Sequence, residues 1–235
     1  LCAAIAHVGP VAQSFWALWD RRAARMRERT RMLFPLVRGE FELSGPRLSV
    51  RSGDVSIELR LGEGEAVECM CASGEGAYTW TRKRASLPAE GTISLAGADH
   101  AFSGRAVDDE SAGYHPRRTS WRWSAGVGES ADGRALAWNL VEGINDPPRR
   151  SERAVWVEGV PSEPGPVRFE GLEGIRFEDG SRLGFSPEGT RAHRERVPLL
   201  FRSDYEAPFG SFSGSLGGVK LAAGLGVMER HDAVW

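Results

Sequence analysis

Cysteine is scarce in this chain of 235 residues, which contains only three. Cys69 and Cys71 are two positions apart, so on a strand their side chains share one face but are poorly placed to bridge. We interpret both, and Cys2, as reduced thiols. No fourth cysteine and no nearby histidine completes a zinc pattern. The sequence therefore predicts packing at this pair, with no metal and no cofactor.

The chain also lacks a net charge of either sign and a long apolar run. Thirty basic residues against 32 acidic ones give a formal charge of −2, which does not attract nucleic acid or an anionic membrane. The apolar stretch near the N-terminus is interrupted by His7 and Pro10 and is too short to span a bilayer. Leu1–Ile5 has no basic stretch before it of the kind that opens a secretory signal. We expect a soluble, cytoplasmic protein with no nucleic-acid partner and no integral membrane association.

Glycine and proline, in contrast, are abundant, with 29 and 13 residues. They interrupt the chain every ten residues or so, which is typical of many short strands joined by turns. The predicted strands are Arg47–Arg51, Val55–Leu61, Val67–Cys71, Tyr78–Lys83, Gly91–Leu95, Trp121–Val127, Ala135–Val141, Ala154–Glu158, Val167–Phe169, Phe209–Ser213 and Lys220–Met228. The pattern favours an all-β fold.

Two Asp-Gly pairs predict tight hairpins of type I′, because each lies between apolar strands. They are Asp132-Gly133 and Asp179-Gly180. The segment 11–32 is ambiguous. Its Ala, Leu, Met and Arg content suits a helix, whereas the alternation around Phe15 and Trp19 suits two strands joined by a turn at Asp20.

Five segments taken together resemble the uncharacterised bacterial family called domain of unknown function 2804. They are Gly113–Trp123, Asp132–Arg134, Asn139–Asp146, Pro208–Gly214 and Gly224–Trp235. The resemblance runs from about His7 to the last residue. It favours strand, turn and strand over helix for the segment 11–32. Family members carry additional strands before the point where this chain starts.

That family is in turn similar to lipocalin-like carotenoid hydratases and tocopherol cyclases, through its strand pattern and its Trp-x-Trp followed by an Asp-Gly-Arg hairpin. The resemblance implies an antiparallel barrel or paired lipocalin-like barrels, with a cavity for an extended apolar ligand such as a lipid or isoprenoid. We expect an N-terminal β-domain over residues 1–110 and a C-terminal β-domain over 111–235, packed as one unit.

The stretch from Tyr114 to Trp123 is rich in aromatic and basic residues. On a strand, Trp121 and Trp123 share one face with Thr119, and Arg118 and Arg122 lie on the other face. One interpretation is that the tryptophans fill a barrel core. The other places them along a ligand cavity, with Arg117 and Arg118 at its rim to hold a carboxylate or phosphate group. The other members of this candidate ligand-binding set are Tyr114, His115, Asn139, Asn145, Glu229 and His231.

A second cluster follows the predicted strand that contains Asn139. In the similar hydratases and cyclases, reaction begins with protonation of an alkene, which needs a neutral carboxylic acid in an apolar site. Glu142 and Asp146 are the candidate proton donors. The alternative is that Asn145 and Asp146 cap a turn, while Glu142 pairs with an arginine such as Arg118.

The third cluster lies near the C-terminus, where Glu229 and His231 share a strand face. It suits an acid/base pair, a two-ligand metal fragment, or an ion pair of Glu229 with an arginine across the sheet, and metal sites normally need three or four ligands. Three functions remain open: binding of a hydrophobic or amphipathic small molecule, acid catalysis on such a ligand, and glycan binding through Trp121, Trp123 and Trp138. The oligomeric state is not indicated.

Overall fold

The computed structural model describes residues 1–9, 11–33, 41–74, 76–197 and 201–234, and all regular structure in these ranges is β-strand. The all-β prediction is confirmed. Among the residues described, none forms a helix that could cross a membrane. The strands are β1 Cys2–Val8, β2 Val11–Asp20, β3 Arg25–Leu33, β4 Phe41–Ser44, β5 Arg47–Ser52, β6 Val55–Leu61, β7 Ala66–Gly74, β8 Ala77–Leu95, β9 Ala98–Gly113, β10 Arg118–Ser130, β11 Ala135–Glu142, β12 Ala154–Val157, β13 Val160–Ser162, β14 Val167–Phe169, β15 Gly174–Phe177, β16 Arg182–Val197, β17 Phe201–Leu216 and β18 Val219–Val234.

These strands form three antiparallel sheets. Their strand orders are β1-β2-β3, then β4-β5-β6-β8-β7 with β9 paired to β8, and then β13-β12-β11-β10-β18-β17-β16-β15-β14. The chain divides into two compact units, one of residues 1–63 and 87–106 and the other of 64–86 and 107–235. The domain division near residue 110 stays a prediction.

In the first unit, the ambiguous segment 11–32 forms two strands and a turn, as the resemblance implies. Asp20 ends β2, and its Oδ1 accepts hydrogen bonds from the backbone N–H groups of Arg22 and Ala23, at 3.0 and 3.1 Å. Trp16 and Leu18 point to one face of β2 and enter an apolar cluster built on β5 and β6. Burial of this face outweighs the helix propensity of the segment.

The second unit is organised around the nine-stranded sheet, which curls into a half-barrel. Its interior is apolar. The buried residues that fill it are Leu136, Trp138, Leu140, Val155, Val167, Ile175, Phe177, Leu183, Phe185, Phe212, Leu216, Leu221 and Met228. Trp138 is fully buried, and its indole N–H donates to Ser124 Oγ at 3.1 Å, so the polar group of this side chain has a partner inside the core.

Glu142, at the end of β11, helps to hold the half-barrel closed. Its two carboxylate oxygens accept from Arg168 Nη1 at 2.8 Å and from the backbone N–H of Phe169 at 2.9 Å. Both donors belong to β14, at the far end of the strand order. A side chain thus connects two strands of the half-barrel that share no ladder.

The opposite face of the nine-stranded sheet is covered within the same unit. Ala137, Ala154 and Trp156 form a small cluster there with Ala85 of β8. Trp156 also donates its indole N–H to the carbonyl of Glu65 at 3.2 Å. Segments of β7, β8 and β9 therefore face this side of the sheet.

Both predicted hairpins are present, since β10 pairs with β11 and β15 with β16. The predicted turn type is wrong. A type I′ turn needs positive φ at both central residues, whereas Gly133 and Gly180 have φ of 84° and neither Asp132 nor Asp179 is in the left-handed region. The N–H of Gly133 bonds to Ser130 O at 2.9 Å, as in a type I turn followed by a left-handed glycine.

The strands are also longer than predicted. The predicted strands Tyr78–Lys83 and Gly91–Leu95 are parts of one strand, β8, and β17 and β18 each run for 16 residues. The equally long β16 was not predicted. Gly91 allows β8 to continue without a break. Its φ is 153°, and a Cβ at this position would lie only 1.9 Å from the carbonyl oxygen of Glu58. Glycine inside these strands therefore allows close backbone approach rather than ending the strand.

Gly126→Ala is expected to destabilise the protein by about 3 kcal/mol, because the added Cβ would lie 2.2 Å from the Trp138 ring and 2.7 Å from the carbonyl oxygen of Leu225. Urea unfolding followed by Trp fluorescence measures the change. Gly184→Ala is the matched control in the same sheet, since its Cβ would meet only a flexible guanidinium at 3.2 Å and a serine hydroxyl at 3.5 Å before other atoms. Equal losses in the two variants would contradict the packing argument.

Candidate functional site

Trp121 and Trp123 face away from the apolar interior of the half-barrel. Ser124 of the same strand contacts Trp138 in that interior, and residues an odd number apart on a strand point to opposite faces. Both tryptophans are partly exposed, and both indole N–H groups are used. Trp121 Nε1 donates to Glu229 Oε1 at 2.7 Å, and Trp123 Nε1 donates to Asn139 Oδ1 at 2.8 Å.

Glu229 is the most perturbed acid of this face. It lies opposite Trp123 in the β10–β18 ladder. Burial among protein atoms raises the pKa of its carboxyl to about 7, and the hydrogen bonds from Trp121 and Tyr205 oppose this rise. Near neutral pH the Glu229 carboxyl is therefore protonated in part of the molecules and ionised in the rest. The side chain keeps some solvent-accessible surface.

His231 lies beside this acid, opposite Trp121 in one ladder and Tyr205 in the other. Its ring centroid is 4.3 Å from that of Trp121 and 5.4 Å from that of Tyr205, and its Nε2 is 2.8 Å from Ser203 Oγ. Burial lowers the pKa of the imidazole to about 4. His231 is thus neutral at physiological pH and a weak base, because its protonated form is favoured only below about pH 4.

Arg191 of β16 completes the aromatic and polar cluster. It is almost fully buried, and its guanidinium carbon lies 4.8 Å from the centroid of the Tyr205 ring. Its positive charge lowers the pKa of both Glu229 and His231. Sequence reasoning missed Arg191, Ser203 and Tyr205. Their only local signal is strand alternation, which does not identify the partner strand.

A second group of charges is buried close by in the same unit. Lys83 of β8 is 2 % exposed and pairs with Asp109 and, at 3.5 Å, with Glu152. Burial disfavours the ammonium, but the two carboxylates outweigh it and raise the pKa of Lys83. The charge of Asp109 also raises the pKa of Glu229, so this group and the Trp121 cluster are coupled electrostatically.

Two asparagines that the sequence singled out hold Glu152. Asn139 is fully buried and donates its Nδ2 to the carbonyl of Glu152 at 2.8 Å. Asn145 Nδ2 donates to Glu152 Oε2 at 3.0 Å, from a left-handed backbone with φ of 50°. Because Asn139 also accepts from Trp123, it links the tryptophan strand to the buried ion pair.

The acids first considered as proton donors have other contacts. Both oxygens of Glu142 are engaged by β14, and its arginine partner is Arg168 rather than Arg118. Asp146 Oδ2 accepts from the backbone N–H of Gly143 at 2.8 Å. Glu142 therefore pairs with an arginine and joins two strands, and Asp146 caps a turn. These are the structural roles considered as the alternative to proton donation.

The remaining candidates lie at the surface. Tyr114, His115, Arg117 and Arg118 are all exposed. The ring of Tyr114 packs edge-on to Tyr78, with centroids 6.4 Å apart. The structure therefore brings Trp121, Trp123, Asn139, Glu229 and His231 to one face of the sheet, and leaves the four residues at the start of the stretch outside that cluster.

Cys69 and Cys71 share one face of β7, as predicted, with their Sγ atoms 3.8 Å apart and no disulfide between them. Burial raises the pKa of the Cys71 thiol to about 12, so it is a poor nucleophile. In the part of the chain that the structure describes, no group of three or more His, Cys, Asp or Glu side chains is arranged to hold a metal ion.

Comparisons with known proteins agree with this architecture. The model of the family described as domain of unknown function (DUF2804) matches residues 41–235, a later start than the His7 suggested by the motifs. A crystal structure of a Nitrosomonas europaea protein provisionally described as AttH has a TM-score of 0.52 and 14% identity, covering 97% of this chain and 84% of that one. Kievitone hydratase from Nectria haematococca has a TM-score of 0.51 and 13% identity, covering 99% and 82%. No curated protein sequence matches significantly.

Lys83→Met is expected to cost about 3–5 kcal/mol of unfolding free energy, because it leaves Glu152 buried without its cation. Chemical unfolding monitors the loss. Arg82→Met is a matched control, since Arg82 pairs with Glu110 nearer the surface and its loss should lower the free energy of unfolding far less. If the two variants proved equally stable, the buried ion pair would not hold this part of the unit together.

The pH dependence of stability is expected to separate Glu229 from His231. The pKa of Glu229 is about 7 in the folded protein and 4.5 ordinarily. Its contribution to the free energy of unfolding is therefore fully present below about pH 4.5 and is lost as the pH rises to 7. His231 has a folded pKa of about 4 against 6.5, so its contribution is lost as pH falls from 6.5 to 4. Relative to the wild type, E229Q should gain stability with rising pH, by up to about 1.4 kcal/mol per pH unit.

H231Q should show the opposite trend and gain stability relative to the wild type as pH falls. Thermal unfolding of the three proteins across this pH range provides the measurement. Parallel pH profiles for all three would mean that neither group has the shifted pKa.

Proposed function

Because this chain belongs to the family called domain of unknown function 2804, whose name gives no activity, we propose a function from the geometry of the site: an acid-catalysed, hydratase-like enzyme that adds water to a carbon–carbon double bond of a small, largely apolar molecule. Glu229 is the proton donor and, once ionised, the base, while the neutral His231 orients the attacking water. The alkene-bearing ligand lies along the face formed by Trp121, Trp123 and Tyr205.

The pKa of Glu229 carries this proposal. A carboxyl group that titrates near 7 still holds a proton when the enzyme works near neutral pH, and this is the property required of a general acid. Its hydrogen-bond partners from Trp121 and Tyr205 are neutral donors. Such partners orient the carboxyl without forcing it to remain ionised, as a closely paired cation would.

The reaction can be written with the groups present. The Glu229 carboxyl gives its proton to one alkene carbon, and the cation that develops on the other carbon is attacked by water. His231, neutral because of its lowered pKa, orients this water, and the Glu229 carboxylate, which is the stronger base of the two, takes up the proton that the water loses. Glu229 is thereby returned to its protonated starting form. The rings of Trp121 and Tyr205 lie where they can stabilise the transient positive charge.

The aromatic face also suits the body of an apolar ligand. Trp121 and Trp123 are partly exposed while their N–H groups are satisfied by protein, so their rings can contact carbon atoms at little polar cost. This supports the expected hydrophobic or isoprenoid ligand over a sugar, which needs many hydrogen bonds. The similarity of fold to a protein named as a hydratase agrees with the proposal, at an identity that speaks for the fold alone.

E229Q is expected to lower turnover by at least about a hundredfold, since general-acid catalysis contributes roughly 10²–10⁴. The assay incubates the protein with isoprenoid and prenylated phenolic alkenes in isotopically labelled water, and mass spectrometry detects product that has gained water. The wild-type rate should fall as pH rises above about 7, because the donor loses its proton there.

Glu206→Gln serves as the matched control: it makes the same change on β17, where the side chain is partly exposed and pairs with Arg230. E142Q and D146N test the two rival acids. Turnover that persisted in E229Q but disappeared in either rival would overturn the assignment. Purified protein that carries an apolar ligand and adds no water to any alkene would point instead to a binding protein that uses the same face.

A further inference from the structure

A row of exposed arginines crosses one end of the nine-stranded sheet, apart from the groups used in the proposed reaction. Arg196 of β16 lies directly opposite Arg202 of β17. Arg202 also lies opposite Val234 of β18, which in turn lies opposite Arg118 of β10. Residues opposite each other in a ladder have their side chains on the same face. Four neighbouring strands therefore place three arginines and a valine side by side.

This row lies where its strands begin or end, and we call it the arginine rim. Arg118 is the first residue of β10, Arg202 the second of β17, Arg196 the last but one of β16, and Val234 the last of β18. All four strands belong to one compact unit, and the three arginines are exposed. A large partner can therefore reach all three without entering a pocket.

The charges of the arginine rim are not neutralised by the protein. Among the residues that the structure describes, none forms a hydrogen bond or an ion pair with the side chains of its three arginines. Asp204 and Asp232 lie two positions from the rim on the same face, but both pair with Arg230. Two cations directly opposite each other repel. Arg196 and Arg202 therefore favour an anionic partner from outside the chain.

The width of the arginine rim indicates the kind of anion. Neighbouring strands are about 4.8 Å apart, so the three strand spacings from Arg196 to Arg118 extend over roughly 14 Å. A small anion is bound by the planar fork of one guanidinium or of two adjacent ones, and Val234 separates Arg118 from the other two. A surface with many negative charges can engage all three arginines at once.

Apolar and aromatic side chains at the arginine rim favour a membrane over a nucleic acid as this surface. Val234 lies within the rim, and Tyr114, four residues before Arg118, is 71 % exposed. Arginine, tyrosine and aliphatic side chains together are typical of a membrane interface, whereas single-stranded nucleic acids bind where several aromatic rings stack on the bases. We infer that the arginine rim docks on the surface of an anionic phospholipid bilayer, with its three arginines contacting lipid phosphates.

The formal charge of −2 for the whole chain does not oppose such docking. Attraction to an anionic bilayer depends on the cations close to its surface and falls off within about 10 Å at moderate salt. Three arginines at one end of a sheet therefore act as a local positive patch.

The arginine rim is also close to the candidate site. Trp121, Tyr205 and His231 lie three residues further along the same strands, on the opposite face of the sheet. Docking therefore brings this aromatic face near the bilayer, in which an apolar ligand dissolves. Delivery of a substrate in this way rests on the proposed function, whereas docking itself does not.

Sedimentation of the full chain with phospholipid vesicles tests the inference. The protein should bind vesicles that contain phosphatidylglycerol but not vesicles of phosphatidylcholine alone, and added salt should release it, because exposed charges are screened. R202Q should weaken binding about fivefold, as expected for one arginine near an anionic surface, and the triple variant R118Q/R196Q/R202Q about a hundredfold. R202K keeps the charge and should bind as the wild type does.

K220Q is the matched control. Lys220 is exposed and lies at the opposite end of β18 from Val234, so its charge is more than a screening length from the docked surface and its loss should change the affinity by less than about twofold. Circular dichroism checks that the variants fold, as expected for replacements of exposed side chains.

Three outcomes would overturn the inference. Wild-type protein that sediments with neither kind of vesicle does not dock on an anionic bilayer. Equal weakening in K220Q and R202Q would indicate a diffuse attraction rather than the arginine rim. Double-stranded DNA or RNA bound more tightly than the anionic vesicles, and lost in R202Q, would make the rim a nucleic-acid surface. All these measurements are made without turnover, so a failure of docking is distinguishable from a failure of the hydratase proposal.

Discussion

The register of β18 against β10 is the constraint on which the candidate site depends. Met228 lies opposite Ser124 on the face that fills the half-barrel, and the next residue, Glu229, lies opposite Trp123 on the other face. A slip of one residue would exchange the two faces. It would bury the Glu229 carboxyl in the apolar interior and expose Met228, which is fully buried here.

The same register also fixes the electrostatics of the site. Glu229 and His231 are two positions apart and therefore share a face, and burial raises the pKa of one and lowers that of the other. Desolvation favours the uncharged form of each group. Burial of this face therefore favours the uncharged forms of both groups, which suits an apolar ligand and places a protonated carboxyl beside a neutral imidazole.

Sequence reasoning located most strands and both hairpins because their signals are local. The spacing of glycine and proline marked most strands, although β9 and β16 were not predicted, and Asp132-Gly133 marked a real hairpin. The turn type was wrong because Asp-Gly also fits a type I turn with one left-handed glycine. Strand length was underestimated because glycines such as Gly91 were taken as strand ends, whereas they permit close backbone contact within a strand.

The site could be anticipated only in part, because its contacts join residues far apart in the chain. The sequence placed Trp121 and Trp123 on one face, and Glu229 and His231 on one face. It could not reveal that both pairs lie on the same face of the sheet, because this depends on the pairing of β10 with β18. The hydrogen bond between Trp121 and Glu229 joins residues that are 108 positions apart in the chain. The buried Lys83, on a strand in another sheet, gave no local signal for the same reason.

Two glutamates illustrate how the partner, rather than the residue type, decides the role of an acid. Glu142 faces Arg168 and a backbone N–H, and both contacts draw β14 towards β11. Removing its charge would loosen a strand. Glu229 faces an indole and a phenol in a desolvated setting, where neither partner requires the carboxyl to be charged. Glu142 is therefore suited to holding the half-barrel closed, and Glu229 to giving up a proton and taking it back within the pH range in which the protein works.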